Sequence, residues 1–393
     1  CDECPVTEIT VGPACRGCIA TRCMHSCPKG AISVVNHRAV IDHSKCITCG
    51  KCIAACPYGA IEKNQRPCER GCKAGAISMG ENRKAFVDPA KCTSCGTCTY
   101  QCPFGAIMDK SFIVDAVQLL KGAEKWNYRV YAILAPSVAG QFAPAKLGQV
   151  ITGLKRLGFQ GVAEVALGAD MTAEHEAEEL LEKQMLASSC CPAFVDFVEK
   201  NFPEQAHLIS ETPSPMVMAA RHVKEQDPAA KVVFVGPCVA KKKEMRLGKT
   251  MGAVDCVLTF EELYALFESR DIQLEELEED GLDQASGYGR AFAHSGGVSA
   301  AVMQALQEKG GDFVLKSQAC SGLEACRVAF LKAAKSIGDV NFIEGMACEG
   351  GCVLGPAQLI RSPRNQADVD RHAKQAQGRT IQQSLDAARQ KQA

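Results

Sequence analysis

The placement of cysteine constrains this chain more than any other feature of its sequence. The 393 residues include 24 cysteines; sixteen lie in residues 1–102 and eight lie after residue 189. A secreted domain held by disulfides is short and self-contained, whereas this chain is long and its cysteines stand at spacings typical of metal sites. We therefore expect metal-bound thiolates in the first hundred residues, with disulfides as the disfavoured alternative.

The first hundred residues contain an internal repeat. Four segments begin with a cysteine and end in Gly-Ala-Ile, and they start at Cys27, Cys56, Cys72 and Cys102. Two of them close the run C-x2-C-x2-C-x3-C-P, which is typical of bacterial ferredoxins that bind 4Fe–4S clusters. The glycine is expected to allow a close approach to the cluster. Zinc on isolated C-x2-C pairs is the alternative, which the third cysteines and the prolines disfavour.

Spacing also predicts how the sixteen cysteines are shared among clusters. The fourth cysteine of a ferredoxin run ligates the other cluster of its pair, so we predict two tandem ferredoxin-like units at residues 12–62 and 63–110. The third copy lacks its leading C-x2-C, and Cys1 and Cys4 have the form of the missing pair. The four predicted clusters are held by Cys15, Cys18, Cys23 and Cys56; by Cys46, Cys49, Cys52 and Cys27; by Cys92, Cys95, Cys98 and Cys72; and by Cys1, Cys4, Cys68 and Cys102. A domain of this kind moves single electrons.

Charge and hydropathy argue against several partners. The chain has 44 Lys and Arg against 45 Asp and Glu, a formal net charge of −1, which gives no reason to expect nucleic acid or an anionic membrane. No run of 18 apolar residues and no signal peptide is found, so we expect a cytoplasmic protein.

Beyond residue 107, predicted strands and helices alternate. The strands are expected at 129–134, 162–167, 231–235, 254–259, 313–319 and 340–344, and the helices at 146–157, 172–185, 260–270 and 323–337. This alternation favours parallel βαβ units, whose sites form beyond the carboxyl ends of the strands. The expected fold is therefore an α+β ferredoxin-like region at 1–110 and an α/β domain with parallel sheets at 111–360. A polar tail at 361–393 is expected to be a surface helix or a loosely held segment.

Three further cysteine segments each follow an apolar run, at residues 188–192, 236–242 and 346–352. Single cysteines in such loops suggest one metal site assembled from distant parts of the chain. In their order, the segments resemble the three signature motifs of FeFe hydrogenases. The similarity covers roughly residues 125–357, and the upstream clusters match the accessory domain of that family.

This resemblance implies a particular cofactor, the H-cluster. It is a 4Fe–4S cubane joined through a cysteine to a two-iron centre that carries CO, CN and a bridging dithiolate amine. By position, the cubane ligands would be Cys191, Cys238, Cys348 and Cys352, with Cys352 as the bridge. About four accessory 4Fe–4S clusters would supply electrons, and separate maturation proteins would insert the two-iron unit.

The resemblance also implies roles for residues around the two irons. Cys190 would be the acid and base nearest the bridgehead amine, Lys241 would donate a hydrogen bond to a cyanide, and Met346 would pack near the irons. A buried lysine is costly without such a partner, whereas Lys242 and Lys243 are expected to face solvent. The positions that match the family's loops around the ligands are Ala135, Pro136, Ser137, Ser214 and Pro215.

A proton path is implied as well. Glu176, Glu179 and Ser210 fall where the path of the family runs, and the two glutamates are three positions apart, hence on one helix face. Without the resemblance, a solvated helix face would be the ordinary interpretation of these glutamates.

The sequence departs from the family at several positions. Gly236 replaces a methionine and is expected to loosen the apolar shell, while Phe194 replaces a tryptophan. Glu349 replaces a proline and is expected to place a carboxylate beside the cubane, and residues 353–356 replace a glycine-rich continuation. Such changes near a metal centre can alter its potential and its preferred direction.

Three cysteines fall outside the family pattern. Cys320 and Cys326 flank a predicted strand–helix junction and could be an inert, a redox-sensitive or a subgroup-specific pair. Cys256 lies in a predicted buried strand and is expected to be part of the core.

The expected function is the reversible interconversion of H2 with protons and electrons, exchanged with a ferredoxin-type carrier. Two alternatives share the scaffold: an H2 or redox sensor, and a non-catalytic iron–sulfur protein used in cluster assembly. Retention of Cys190, Lys241 and Met346 argues against the latter, and no added signalling domain is visible for the former.

Overall fold

The chain forms two compact units. The computed structural model describes residues 4, 8–80, 84–376 and 379–390. The first unit is Cys1–Cys92 with Gln101–Ile107, and the second is Thr93–Tyr100 with Met108–Ala393. Within the described residues, no helix is both long and apolar enough to cross a membrane.

The repeated sequence gives the first unit short strands and one-turn helices. Up to residue 107 the elements are β1 (Glu8–Val11), α1 (Arg22–His25), β2 (Ile32–Val35), β3 (Arg38–Ile41), α2 (Lys51–Ala55), β4 (Ile61–Asn64), α3 (Pro67–Gly71), β5 (Ile77–Met79), β6 (Ala85–Val87) and α4 (Thr97–Gln101). The isoleucine that ends a Gly-Ala-Ile repeat is the first residue of β2, β4 and β5 in turn. Antiparallel pairs form between β1 and β4, β2 and β3, and β5 and β6. This is a ferredoxin-like arrangement.

The second unit carries the larger core. Its first elements are α5 (Ile113–Trp126), β7 (Val130–Leu134), α6 (Leu147–Leu157), β8 (Gly161–Glu164), α7 (Val165–Lys183), β9 (Leu186–Ala187), α8 (Pro192–Asn201), α9 (Pro215–Gln226), β10 (Lys231–Gly236) and α10 (Ala240–Glu244). They are followed by β11 (Cys256–Thr259), α11 (Phe260–Glu268), α12 (Gly287–Ala291), α13 (Gly297–Lys309), β12 (Ser317–Ser321), α14 (Leu323–Ala333), β13 (Phe342–Met346), α15 (Arg364–Lys374) and α16 (Ile381–Gln390).

Two parallel sheets organise this unit. One has the strand order β11-β10-β7-β8 and the other the order β12-β13-β9. Apolar clusters cover both faces of the first sheet, and a third cluster joins α7 and α13 to β13. Strands buried on both faces explain the nearly continuous apolar runs in the sequence. The predicted α/β domain with parallel sheets is therefore present.

Helix α7 differs from the sequence prediction. A strand was expected at 162–167, but β8 ends at Glu164 and the helix begins at Val165. The first turns of α7 are buried on every side, and a short apolar run of this kind cannot be distinguished from a buried strand by periodicity. Gly168 lets α9 approach closely, because a Cβ there would lie 2.2 Å from the carbonyl oxygen of Pro215.

The polar C-terminal segment is helical. Helices α15 and α16 bury Val369, Ile381 and Leu385, and the last two belong to the apolar cluster around α7. Their amphipathic spacing places these few apolar residues on one face, so a segment of low overall hydropathy still packs on the second unit.

Candidate metal centre

Two small cavities in the first unit are each bounded by four cysteines. The first is lined by Cys15, Cys18, Cys23 and Cys56, and the second by Cys27, Cys46, Cys49 and Cys52. Each group combines three cysteines of one run with the last cysteine of the other. The structure thus brings together the first two sets that the ferredoxin crossover rule predicts.

Each repeat also positions a backbone donor on its cysteine sulfur. The alanine of Gly-Ala-Ile donates its N–H to the Sγ of Cys27, Cys56, Cys72 and Cys102 at 3.3, 3.4, 3.2 and 3.3 Å. The preceding glycines have φ between 57° and 63°, and a Cβ on any of them would meet no protein atom within 4 Å. The glycines are therefore needed for the left-handed turn that aims the donor. At Cys27 the Ala31 N–H is the main reason that the pKa is lowered, which favours the thiolate that iron requires.

The two remaining predicted groups are only partly described. Cys68 and Cys102 are electrostatic neighbours in the first unit, and Cys4 is a free cysteine, while Cys1 lies outside the described residues. Cys72 and Cys92 belong to the first unit, and Cys95 and Cys98 belong to the second. The grouping of these residues stays a prediction.

In the second unit, strand ends from both sheets surround an apolar cavity of about 80 Å³. Ala135 follows β7, Cys190 follows β9, Cys238 follows β10, and Met346 ends β13. The carboxyl ends of parallel strands form the sites of α/β proteins, so loops far apart in sequence meet here.

The four cysteines of the predicted cubane converge. Cys191, Cys238 and Cys352 line the cavity, and every pair among these three and Cys348 interacts electrostatically. Burial, followed by this mutual repulsion, raises the pKa of Cys238 to about 11 and that of Cys352 to about 12. Four thiolates cannot be held so close without cations, and iron supplies that charge when it displaces the protons. The described residues contain no group of three or more His, Cys, Asp or Glu side chains that is suited to a single metal ion.

Lys241 is the cation of this site. Its Nζ donates to the Cys190 carbonyl oxygen at 3.1 Å, to Ser214 Oγ at 2.8 Å and to Glu244 Oε2 at 2.7 Å. All three protons are therefore used, and donation to a ligand in the cavity requires Lys241 to share one of them. Glu244, which sequence reasoning missed, lies three positions after Lys241 on α10.

Ser137 is the second polar group at the cavity. Its side chain is 1% exposed, and its hydroxyl has no hydrogen-bond partner among the residues described. A buried hydroxyl without a partner is costly, and an acceptor in the cavity would satisfy it. Four thiols, this orphaned donor and Lys241 around an apolar space fit the H-cluster that the resemblance implies.

One expectation about the departures from the family is wrong. A Cβ on Gly236 would lie 2.5 Å from Cζ of Phe234, which itself lines the cavity, so the phenyl ring fills the space that the missing side chain leaves. The side chain of Glu349 lies against Gly322 before α14, 2.9 Å from a Cβ placed there, and its position beside the cubane stays a prediction. A second correction concerns Lys242, which is buried in ion pairs with Asp109 and Glu262.

Two further residues, Ser189 and Thr212, form hydrogen bonds to the predicted proton-path glutamates and to each other. Glu179 accepts from Ser210 Oγ at 2.5 Å and from Thr212 Oγ1 at 3.3 Å. Ser189 donates its N–H to Glu176 Oε1 at 2.9 Å and its hydroxyl to the Thr212 carbonyl oxygen at 2.5 Å. Sequence reasoning missed Ser189 and Thr212, although each lies within two positions of a predicted residue.

The outer end of this chain of side chains opens into a cleft of about 590 Å³. Ser189, Ser210 and Thr212 line the cleft, and so does Glu244. Lys183 forms an ion pair with Glu179 at 2.8 Å near the same opening. Ser210 and Thr212, which form hydrogen bonds to Glu179, therefore lie at a cleft in the surface of the second unit.

The two glutamates have opposite pKa shifts. Burial, opposed by the Ser189 N–H, raises the pKa of Glu176 to about 8, and its Oε2 has no partner among the described residues. Burial also acts to raise the pKa of Glu179, but hydrogen bonds from Lys183 and Ser210 outweigh it and lower that pKa. The inner carboxyl is thus held protonated near neutral pH while the outer one is ionised.

Replacing Glu176 by glutamine is expected to change how stability depends on pH. Between the unfolded pKa of 4.5 and the folded pKa of about 8, the folded chain holds a proton that the unfolded chain has lost. Stability therefore falls by about 1.4 kcal/mol per pH unit across this window, and glutamine abolishes the loss. The thermal midpoint of E176Q minus that of the unsubstituted chain should therefore increase as the pH rises from about 6 to about 8.

The matched control is Glu179→Gln. Because the pKa of Glu179 is lowered, its charged form stabilises the fold, and E179Q should lose stability at neutral pH. Equal pH dependence of E176Q and the unsubstituted chain would contradict a protonated Glu176.

Comparison with known proteins identifies the family to which this arrangement of residues belongs. The family model described as iron only hydrogenase large subunit, C-terminal domain, matches residues 128–356, and a 4Fe-4S binding domain matches residues 39–62 and 85–108. Iron hydrogenase 1 of Clostridium pasteurianum is 29% identical over 87% of this chain and 69% of its own length. The periplasmic Fe hydrogenase large subunit of Nitratidesulfovibrio vulgaris is 29% identical over 82% of this chain and 87% of its own length.

More distant similarities extend to a protein that is not named as a hydrogenase. The cytosolic Fe-S cluster assembly factor NAR1 of Eremothecium gossypii is 27% identical over 38% of each chain.

A solved FeFe-hydrogenase structure from Chlamydomonas reinhardtii has the same fold, with a TM-score of 0.55 and 20% identity over 71% of this chain and 93% of its own. Since the family model covers more than half of its residues, this chain belongs to the iron-only hydrogenase large-subunit family, with an iron–sulfur, ferredoxin-like region before the matched domain.

Proposed function

We propose that the chain is an FeFe hydrogenase that reversibly interconverts H2 with two protons and two electrons. The observation that carries this proposal is the convergence of four cysteines from three loops on one apolar cavity. Cys190, Ser137 and Lys241 face the same cavity. The cysteines that would hold the cubane, a further thiol, a hydroxyl donor and a cation are the side chains that the H-cluster needs, and all of them lie around this cavity.

The protein's own residues bind the cluster, orient it and handle protons. The two-iron unit, when bound, supplies the metal chemistry that forms or splits H2. Lys241 and Ser137 would hold its anionic ligands, and Met346 and Phe234 would keep water from it. Cys190 would hold a proton at its Sγ, because burial raises the pKa of this thiol well above its usual range, with Glu176 adding to the effect. Glu176, which holds a proton near neutral pH, would release that proton toward Glu179 and would then be reprotonated by Cys190.

Electrons would reach the cubane through 4Fe–4S clusters in the ferredoxin-like region. Cys95 is among the electrostatic neighbours of Cys348 within the second unit, which puts a predicted cluster ligand close to a cubane ligand. The test is H2 turnover by the chain produced together with maturation proteins, with a reduced ferredoxin as donor. Absence of turnover in a preparation with full iron content would contradict the proposal.

A second candidate is a non-catalytic iron–sulfur protein, which the likeness to NAR1 favours. A protein of that kind needs the cubane ligands but neither a thiol at the cavity nor a buried proton path. Cys190, Glu176 and Ser137 have no role in it. We therefore favour the hydrogenase function over this non-catalytic candidate.

An acidic electron carrier is the proposed partner. Arg16 and Arg22 are exposed and line the cavity of the first four-cysteine group, and Ile19 between them is fully exposed. An apolar residue flanked by cations, beside a cluster that can take an electron, suits an acidic protein surface.

Reversing these charges should weaken the encounter. We expect R16E/R22E to raise the KM for an acidic ferredoxin several-fold at low salt, because charges at the edge of an interface act mainly on the association rate. Turnover with a small viologen dye should not change. Lys121→Glu, an exposed substitution on α5, is the control, and an equal effect of both variants would exclude this docking surface.

A further inference from the structure

Two cysteines that the proposed function does not use lie next to the loop that carries Cys348 and Cys352. Cys320 is on β12 and Cys326 is in the first turns of α14, and both are 0% exposed. The Cys326 Sγ lies 3.9 Å from the Cys320 carbonyl oxygen, the Cys320 Sγ lies 3.8 Å from the Gln318 carbonyl oxygen, and the two thiols are electrostatic neighbours. No ligand role in the predicted clusters falls to either residue.

The pair is linked to the loop that carries Cys348 and Cys352. The Cys326 thiol donates to the Met346 carbonyl oxygen at 3.8 Å, and the Gly322 N–H donates to the same oxygen at 2.8 Å. Ser321 Oγ accepts from the Gly350 N–H at 2.7 Å. The segment that holds the pair is thus bonded to both ends of the turn between Met346 and Gly350.

We propose that Cys320 and Cys326 are a redox-active dithiol that closes to a disulfide when a peroxide oxidises it. In this step Cys320 attacks the peroxide and becomes a sulfenic acid, with release of water. The Cys326 sulfur then displaces the hydroxyl group as a second water. The balance is two thiols plus H2O2 to one disulfide plus two water molecules.

The opposite pKa shifts of the two thiols indicate which of them attacks the peroxide first. The neighbouring Cys326 thiol lowers the pKa of Cys320, whereas Cys320, together with burial, raises the pKa of Cys326. Cys320 is therefore the thiolate that attacks, and Cys326 is the resolving cysteine. Because both thiols are 0% exposed, the oxidant must be a small molecule such as a peroxide and not a bulky disulfide.

Formation of the disulfide removes the hydrogen bond from the Cys326 thiol to the Met346 carbonyl oxygen. The Cys326 proton is lost, so the Met346 carbonyl keeps only the Gly322 N–H. Met346 also lines the cavity, and the oxidation state of the pair is thereby transmitted to the cluster site. The formation of the disulfide itself does not depend on the proposed hydrogenase activity.

Trypsin offers a direct test. Cleavage after Lys316 and Arg327 releases an 11-residue peptide that contains this pair and no other cysteine. The cluster-loaded chain is treated with graded H2O2 without air, blocked with an alkylating reagent under denaturing conditions, digested and weighed. We expect the peptide to lose both alkyl groups together and to become two hydrogen atoms lighter than its unalkylated dithiol form.

Controls separate this result from general oxidation. Cys256 is also 0% exposed, but its electrostatic neighbours are Asp115, Glu262 and Lys242 and not a second thiol, so it should stay alkylated at the same dose. In Cys326→Ala the disulfide cannot form, and Cys320 should collect sulfenic and sulfinic acid instead. The electron paramagnetic resonance spectrum of the cubane should shift on oxidation of the unsubstituted chain and not of this variant.

Two outcomes would overturn the proposal. One is a peptide that remains fully alkylated at peroxide doses that already release iron from the clusters. The other is a peptide in which the two cysteines are oxidised independently and no disulfide is found.

Discussion

Replacing Cys190 by alanine is expected to lower H2 turnover by about 10²–10⁴-fold, the usual contribution of a positioned acid and base. The thiol lines the cavity, and the buried Glu176 is among its electrostatic neighbours, so the variant breaks the proton path at its inner end. The bond from Lys241 goes to the backbone carbonyl of Cys190 and is kept in the variant. Iron content and the spectrum of the cubane should therefore be unchanged.

The matched control is Cys256→Ala, another buried thiol in the second unit that is away from the cavity. Its loss should leave turnover unchanged once any difference in stability is allowed for. If C190A retains full turnover with H2, Cys190 carries no proton and the proposed path must begin elsewhere.

Replacing Lys241 by methionine is expected to destabilise the second unit by about 3–5 kcal/mol, the cost of leaving one partner of a buried ion pair alone. The side chains of Lys241 and Glu244 are 10% and 8% exposed. Without the ammonium group, the largely buried Glu244 side chain at the cleft loses its ion-pair partner. Denaturant midpoints of the chain measure the loss.

Two further variants identify the cause. In K241M/E244Q the unpaired charge is removed, so most of the lost stability should return, although the anionic ligands of the cavity would still lack their donor. Lys243→Met is the neighbouring control, since Lys243 is 41% exposed and its pair with Asp196 is worth only about 0–1 kcal/mol. A loss in K243M as large as that in K241M would contradict the buried-pair explanation.

Patterns in the sequence predicted the parts of this molecule that depend on spacing. The ferredoxin runs carry the crossover rule, so the groups around Cys56 and Cys27 follow from counting along the chain. Strands ending in cysteine loops predicted a shared site because parallel strands end at the same edge of a sheet. The fold class could be predicted for the same reason.

Contacts between residues far apart in the chain could not be predicted. The orientation of a neighbouring side chain could not be predicted either: glycine at 236 indicated an open space, and only packing shows that Phe234, two positions before it, occupies this space. Ser189 and Thr212 connect the two glutamates through bonds between distant segments. The burial of Lys242 depends on Asp109 and Glu262, 133 and 20 positions away in the sequence, and no local pattern encodes such a pairing.

The most direct test of the central claim is the infrared spectrum of the chain, produced without air together with maturation proteins and beside a family hydrogenase loaded in parallel. Our account predicts absorption bands of iron-bound CO and CN, shifted in Lys241→Met and Ser137→Ala. A chain with its cubane and full iron content but no such bands, while the parallel hydrogenase shows them, would contradict a two-iron centre at this cavity.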